Sequence, residues 1–143
     1  DSRGKGGAEA TKGYEVEIET HPADTALHDD VALLYLELGR SDGAIRHFKA
    51  ALALKPQSAV AHYNLATALT VARRLDEASA EYRDALQIDP AYANAHNNLG
   101  NVLLSQKQYD DAIREFAEVV RLQPGSDAAA KNLAAAKAMA ARR

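Results

Sequence analysis

The chain has 143 residues, no cysteine, no tryptophan, and 17 basic against 20 acidic side chains, for a formal charge of −3. That composition excludes a disulfide framework, a cysteine-ligated zinc site and a thiol nucleophile, and it lacks the basic excess of a dedicated nucleic-acid binder. No apolar run approaches the roughly 18 residues of a membrane span, and the first residues carry no secretory pattern, so membrane insertion is not expected.

Alanine supplies 31 of the 143 residues, which favours close-packed helices over sheets. The four prolines, Pro22, Pro56, Pro90 and Pro124, stand 34 residues apart. Self-similarity at such a period marks a solenoid. Other columns keep the spacing: Ala10, Ala44, Ala78 and Ala112; aromatic Tyr14, Phe48, Tyr82 and Phe116; aliphatic Ile18, Leu52, Leu86 and Val120. Val31, Leu65, Leu99 and Leu133 form a further column, followed by small Ala32, Ala66, Gly100 and Ala134.

In chain order, residues 1–7 hold three glycines and no apolar side chain, and read as a flexible tail or a remnant of cloning. Residues 8–24 align without a gap to the stretch ending at Pro90, and read as the second helix of a preceding, degenerate unit. The alternation Val16-Glu17-Ile18-Glu19 also fits a short strand, but Ala10, Tyr14, Ile18 and Pro22 keep register and favour helix. Residues 25–58, 59–92 and 93–126 read as three full units of two helices each. In the middle unit, Ala61, Leu65, Ala68, Leu69 and Ala72 follow helical spacing, as do Ala78, Tyr82, Ala85 and Leu86 after a turn. Asp24, Ser58 and Ser126 are placed to cap first helices, with Tyr92 the exception, and Asp42, Asp76 and Asp110 are expected to cap second helices. Each proline closes a unit because it lacks an N–H and pushes the preceding residue out of α geometry. Residues 127–143 read as one alanine-rich helix capping the array. The leading half-unit suggests a segment taken from inside a longer array.

His62-x-x-Leu65-Ala66, Ala78, Tyr82, Ala85 and Pro90, repeated as His96-x-x-Leu99-Gly100, Ala112, Phe116 and Pro124, resemble the tetratricopeptide repeat family. The first unit carries His28, Val31, Ala32, Tyr35, Ala44, Phe48, Ala51 and Pro56 at the same places. Val119 replaces the small residue of Ala51 and Ala85, and Arg73 and Lys107 stand where Gly39 makes the expected turn. The resemblance covers about residues 8–143. It implies an all-α solenoid of antiparallel helix pairs, a right-handed superhelix whose first helices line a concave groove.

No enzyme constellation is present: no glycine-rich phosphate loop follows a strand, and the serine–histidine and carboxylate pairs lie on helix surfaces. A noncatalytic protein without cofactor or metal is expected. His28, His62 and His96 do not form a metal ladder between units, because equivalent points lie ~10 Å apart, and inter-helix packing explains them better. The column Asn64, Asn98 and Asn132 carries the functional expectation, since an amide offers both donor and acceptor to a peptide backbone. It resembles the asparagine ladder in the repeat region of O-linked N-acetylglucosamine transferases. A competing reading has each asparagine bonding to a neighbouring helix. The family's groove face adds Asp29, Leu33, Tyr63, Thr67, Asn94, Asn97, Asn101 and Lys131 as candidates. Asp29, Asn94 and Asn98 stand where clamps for acidic chaperone tails need cations, so acidic-tail capture is not expected.

The leading expectation is therefore a scaffold binding an extended peptide of a protein partner, soluble and cytoplasmic rather than periplasmic. Two rivals remain: a substrate-recruiting region of a larger enzyme, and a homo-oligomeric scaffold associating through the open N-terminal end.

Overall fold

A computed structural model describes residues 2–143, with side chains described from residue 6 onward. Among the described residues there are eight helices: α1 (Ser2–Thr20), α2 (Thr25–Glu37), α3 (Ser41–Leu54), α4 (Ala59–Val71), α5 (Leu75–Ile88), α6 (Ala93–Ser105), α7 (Tyr109–Leu122) and α8 (Asp127–Ala141). Each helix packs on the one before and the one after it, most closely within the pairs α2/α3, α4/α5 and α6/α7. Helices α4 and α6, not consecutive in the chain, also touch. The result is an all-α solenoid.

The register columns make its core. Ala32, Ala44, Phe48, Leu65, Ala66, Ala78, Tyr82, Leu99, Ala112 and Phe116 are buried in one continuous cluster. Alanine and glycine permit the close approach and the aromatic column fills the remaining space. Gly100 shows the tolerance: a Cβ there would stand 2.8 Å from the Phe116 ring.

The turns within pairs are alike in geometry although not in sequence. Arg74 N donates to Leu69 O at 2.9 Å and Arg73 N to Thr70 O at 3.0 Å, the paired bonds of a Schellman motif. The same two bonds recur at Gly39–Arg40 and at Lys107–Gln108. All three need a left-handed residue, with φ of 73° at Gly39, 62° at Arg73 and 61° at Lys107. Asp42, Asp76 and Asp110, expected as caps, lie instead in the first turns of α3, α5 and α7. The Schellman residues Arg40, Arg74 and Gln108 already occupy the cap position, so the aspartates favour the helix dipole instead, and Asp76 and Asp110 also meet Gln106 and Arg143. Asp24, Ser58 and Ser126 do cap α2, α4 and α8, and Tyr92 makes no side-chain cap.

The turns between units are tied down by the histidine column. His28, His62 and His96 place Nε2 3.0, 3.0 and 2.8 Å from the carbonyls of Pro22, Pro56 and Pro90. A carbonyl only accepts, so each Nε2 carries a proton. The Nδ1 atoms meet the second helix: His47 Nδ1 at 3.0 Å, Glu81 Oε2 at 2.7 Å and Glu115 Oε2 at 2.6 Å.

Residues 2–7 are helical, where glycine content points to a flexible tail. Gly7 seats against Leu38: a Cβ on it would collide with the Leu38 side chain, so here the missing side chain permits the close approach. Residue 1, the start of that expected tail, lies outside the described residues. Val16 to Glu19 are helical too, with Ile18 buried and Val16 exposed.

Candidate functional site: a polar strip on the first helices

Asn64, Asn98 and Asn132 lie at one register position on α4, α6 and α8, and all three are half-buried. Two of them reach sideways. Asn98 Nδ2 donates to Tyr63 Oη at 3.0 Å, and Asn132 Nδ2 donates to Asn97 Oδ1 at 3.0 Å. Each bond joins a residue to the one 35 positions earlier, on the first helix of the preceding unit. Two of the three asparagines therefore bond to neighbouring helices. Each such amide commits one donor to its neighbour, which fixes the plane of the group, and retains a second N–H and the carbonyl oxygen.

The same register sets Asn64 against Asp29, but no side-chain bond joins them among the described residues. Asp29 Oδ1 is buried without a hydrogen-bond partner. Burial, and next the charge of Asp30, push the Asp29 carboxyl above its usual range.

Tyr63 is the hub of the strip. It stacks on Tyr92 with centroids 4.9 Å apart and planes 23° from parallel, and meets Tyr82 edge-on at 5.8 Å. Burial, followed by the neighbouring Tyr63 and Asp89, raises the Tyr92 hydroxyl pKa. Tyr92 was overlooked by the register argument, which marks it only as a failed cap; an aromatic where other units have Asp or Ser was the available signal.

Two shallow cavities open on the strip. One of about 200 Å³ is lined by Thr67, Thr70, Val71, Tyr82, Asn98 and Asn101, where α4, α5 and α6 meet. Another of about 190 Å³ includes Asn94, Asn97, Asn132, Ser126 and Gln123 in its lining, where α6, α7 and α8 meet. The structure thus gathers Asn98 and Asn101 around one hollow and Asn94, Asn97 and Asn132 around the other, while Tyr63 bonds to Asn98 without lining either. Thr67 lines the first hollow, but its hydroxyl contacts Tyr63 O at 3.0 Å and Tyr82 Oη at 3.2 Å. Lys131 is exposed on α8 and joins neither cavity, and Asp29 lies on α2, outside both. Leu33 is exposed and lines a separate hollow with Tyr14, Asp30, Leu34 and Glu37.

Fold and strip together define an α-solenoid of repeated helix pairs with a polar face along its first helices. Patterns described as tetratricopeptide repeat match residues 35–83 and 93–126, and one described as TPR repeat matches residues 74–107. The chain belongs to the tetratricopeptide repeat family.

No curated protein matches the sequence. Among solved structures, a crystal structure of MamA is 25% identical, with a TM-score of 0.83 over 94% of this chain and 79% of that one. A second MamA structure is 24% identical, with a TM-score of 0.85 over 97% of this chain and 76% of that one. The first TPR of Spaghetti (RPAP3), bound to the HSP90 peptide SRMEEVD, is 19% identical, with a TM-score of 0.76 over 82% of this chain and 95% of that one. No described helix is long and apolar enough to cross a membrane.

Proposed function

We propose that this repeat array is a noncatalytic interaction scaffold that holds an extended segment of a partner protein along α4, α6 and α8. Repeats of this family are typically interaction modules, and a fold neighbour carries a bound peptide. One observation supports the finer reading most. Asn98 and Asn132 are each oriented by a lateral bond while lining an open hollow, leaving an oxygen and an N–H for a ligand. Repeats spaced ~10 Å apart would meet an extended chain about every third residue, at ~3.4 Å each. Backbone recognition of this kind fits a strip that carries several amides and few charges.

The acidic SRMEEVD peptide of the fold neighbour is a poor guide to the occupant. Asn98 is uncharged and supplies no cation to clamp an acidic tail.

Selection from a displayed library of unstructured peptides supplies a ligand for the test. Asn98→Ala and Asn132→Ala should each weaken it about fivefold, the equivalent of ~1 kcal/mol per lost bond. Thermal melting of the same variants separates loss of the lateral bonds from loss of binding. Unchanged affinity in the double variant would sink the proposal. An N-methylated backbone should bind poorly, whereas side-chain changes in the peptide should matter less.

A further inference from the structure

The three units differ at the face opposite in role to the polar strip, where each column histidine meets its second helix. Nineteen residues after the histidine come His47, Glu81 and Glu115; twenty-two after it come Ala50, Asp84 and Glu118. Only the middle unit brings two uncommitted carboxylates to one imidazole. His62 Nδ1 lies 2.7 Å from Glu81 Oε2 and 4.0 Å from Asp84 Oδ2, and one ligand atom from each residue falls within 4.8 Å of the others. In the third unit Glu118 is taken by Arg121, whose Nε and Nη2 donate to Glu118 Oε2 at 3.0 and 2.8 Å. In the first unit position 50 is alanine.

From this we infer that His62, Glu81 and Asp84 form a binding site for a divalent transition metal, with zinc the best match to one imidazole and two carboxylates. A tetrahedral zinc ion with ~2.0–2.2 Å bonds holds its donors about 3.3 Å apart. That lies between the 2.7 and 4.0 Å separations found from His62 Nδ1, and side-chain rotation draws the three ligand atoms, which lie within 4.8 Å of one another, to that spacing.

The outer partner is already in place. His62 Nε2 donates to Pro56 O at 3.0 Å, which fixes the ring and leaves Nδ1 as the ligating atom. Metal-binding histidines are oriented by this kind of second bond. Zinc replaces the proton between Nδ1 and Glu81, and that proton leaves to water. Room for the remaining ligands exists: a cavity of about 550 Å³ lined by Pro56, Gln57, His62, Asp84, Gln87 and Ile88 opens beside the imidazole. Such a site staples α4 to α5 and to the turn at Pro56. It lies within one unit, so the ~10 Å spacing that forbids a ladder between units does not apply.

The experiment is calorimetric titration of the whole chain with zinc chloride, repeated with cobalt(II) to read coordination from its visible spectrum. One equivalent should bind, raise the melting temperature and give the intense bands of a four-coordinate cobalt site. Asp84→Asn, a change to a carboxylate that is half exposed, should leave the fold intact and weaken binding at least about tenfold. His62→Gln should abolish it. Glu118→Gln should leave it unchanged. Absence of binding, or equal binding by Asp84→Asn and the native chain, overturns the assignment and leaves His62–Glu81 as an ion pair alone.

Discussion

Helices α1 and α5 hold the same place in the 34-residue register, yet their column residues fare differently. Ala78 is fully buried and Tyr82 is 1% exposed, whereas Ala10 is exposed and Tyr14 is half-buried. Helix α5 is packed between α4 and α6, while α1 leans on α2. What α1 lacks in apolar burial it gains in polar contacts. Glu15 Oε1 accepts from Tyr35 Oη at 3.0 Å, Arg46 Nη2 at 3.1 Å and His47 Nε2 at 2.7 Å, reaching both α2 and α3. His47 in turn meets His28, and so the chain of bonds runs on to Pro22 O. A register position thus specifies which neighbours a residue faces, and the helices present on either side decide whether burial or charge does the holding.

The largest effect should come from the interior. Phe116 is buried and in contact with Gly100, so Phe116→Ala should cost ~3–5 kcal/mol, with α6 to α8 loosening before α2 and α3. Urea denaturation gives the magnitude and hydrogen exchange the order. Uniform loss of protection along the chain would break the contrast between regions.

Acid should act on the leading end. Burial pushes the Glu15 carboxyl upward, but bonds from His47 and Tyr35 and the charges of His47 and Arg46 outweigh it and hold the pKa below its ordinary 4.5. The docked state therefore binds fewer protons than the free helix. Its contribution is present above that ordinary value and is lost as pH falls through the lowered one. Amide exchange in α1 should accelerate over that acid range. Glu15→Gln should reproduce the change at neutral pH while α4 to α7 stay protected, and an unaltered α1 would show that Ile18 and Gly7 suffice to dock it.

The smallest effect inverts the comparison, since the strained turns belong to the interior. Arg73→Gly and Lys107→Gly relieve left-handed non-glycine residues and should each stabilise by about 1 kcal/mol or less. Thermal melting reads the gain. A loss would mean that the arginine and lysine side chains contribute more than their backbone costs.

Much of the fold is legible because each column has a direct physical meaning. Alanine at 44, 78 and 112 and aromatics at 48, 82 and 116 are small-against-large packing, and proline every 34 residues ends a helix pair. The caps were legible only in part. Asp24, Ser58 and Ser126 cap as their chemistry indicates, whereas Asp42, Asp76 and Asp110 are displaced by a turn that takes the cap position for Arg40, Arg74 and Gln108. The candidate strip is similar. The asparagine column shows in the sequence, but its partners Tyr63 and Asn97 lie 35 residues away, one off the period, and register alone does not reveal them.

By itself, then, the sequence determined the repeat, the helix pairs and the buried columns, since these follow from local periodicity and from the steric demands of proline, alanine and aromatic rings. Tertiary structure alone decided which polar groups meet. It gave Glu15 to His47, Asn98 to Tyr63, and Glu81 with Asp84 to His62, because hydrogen bonds and ion pairs depend on ångström-scale placement across helices that a 34-residue period leaves open.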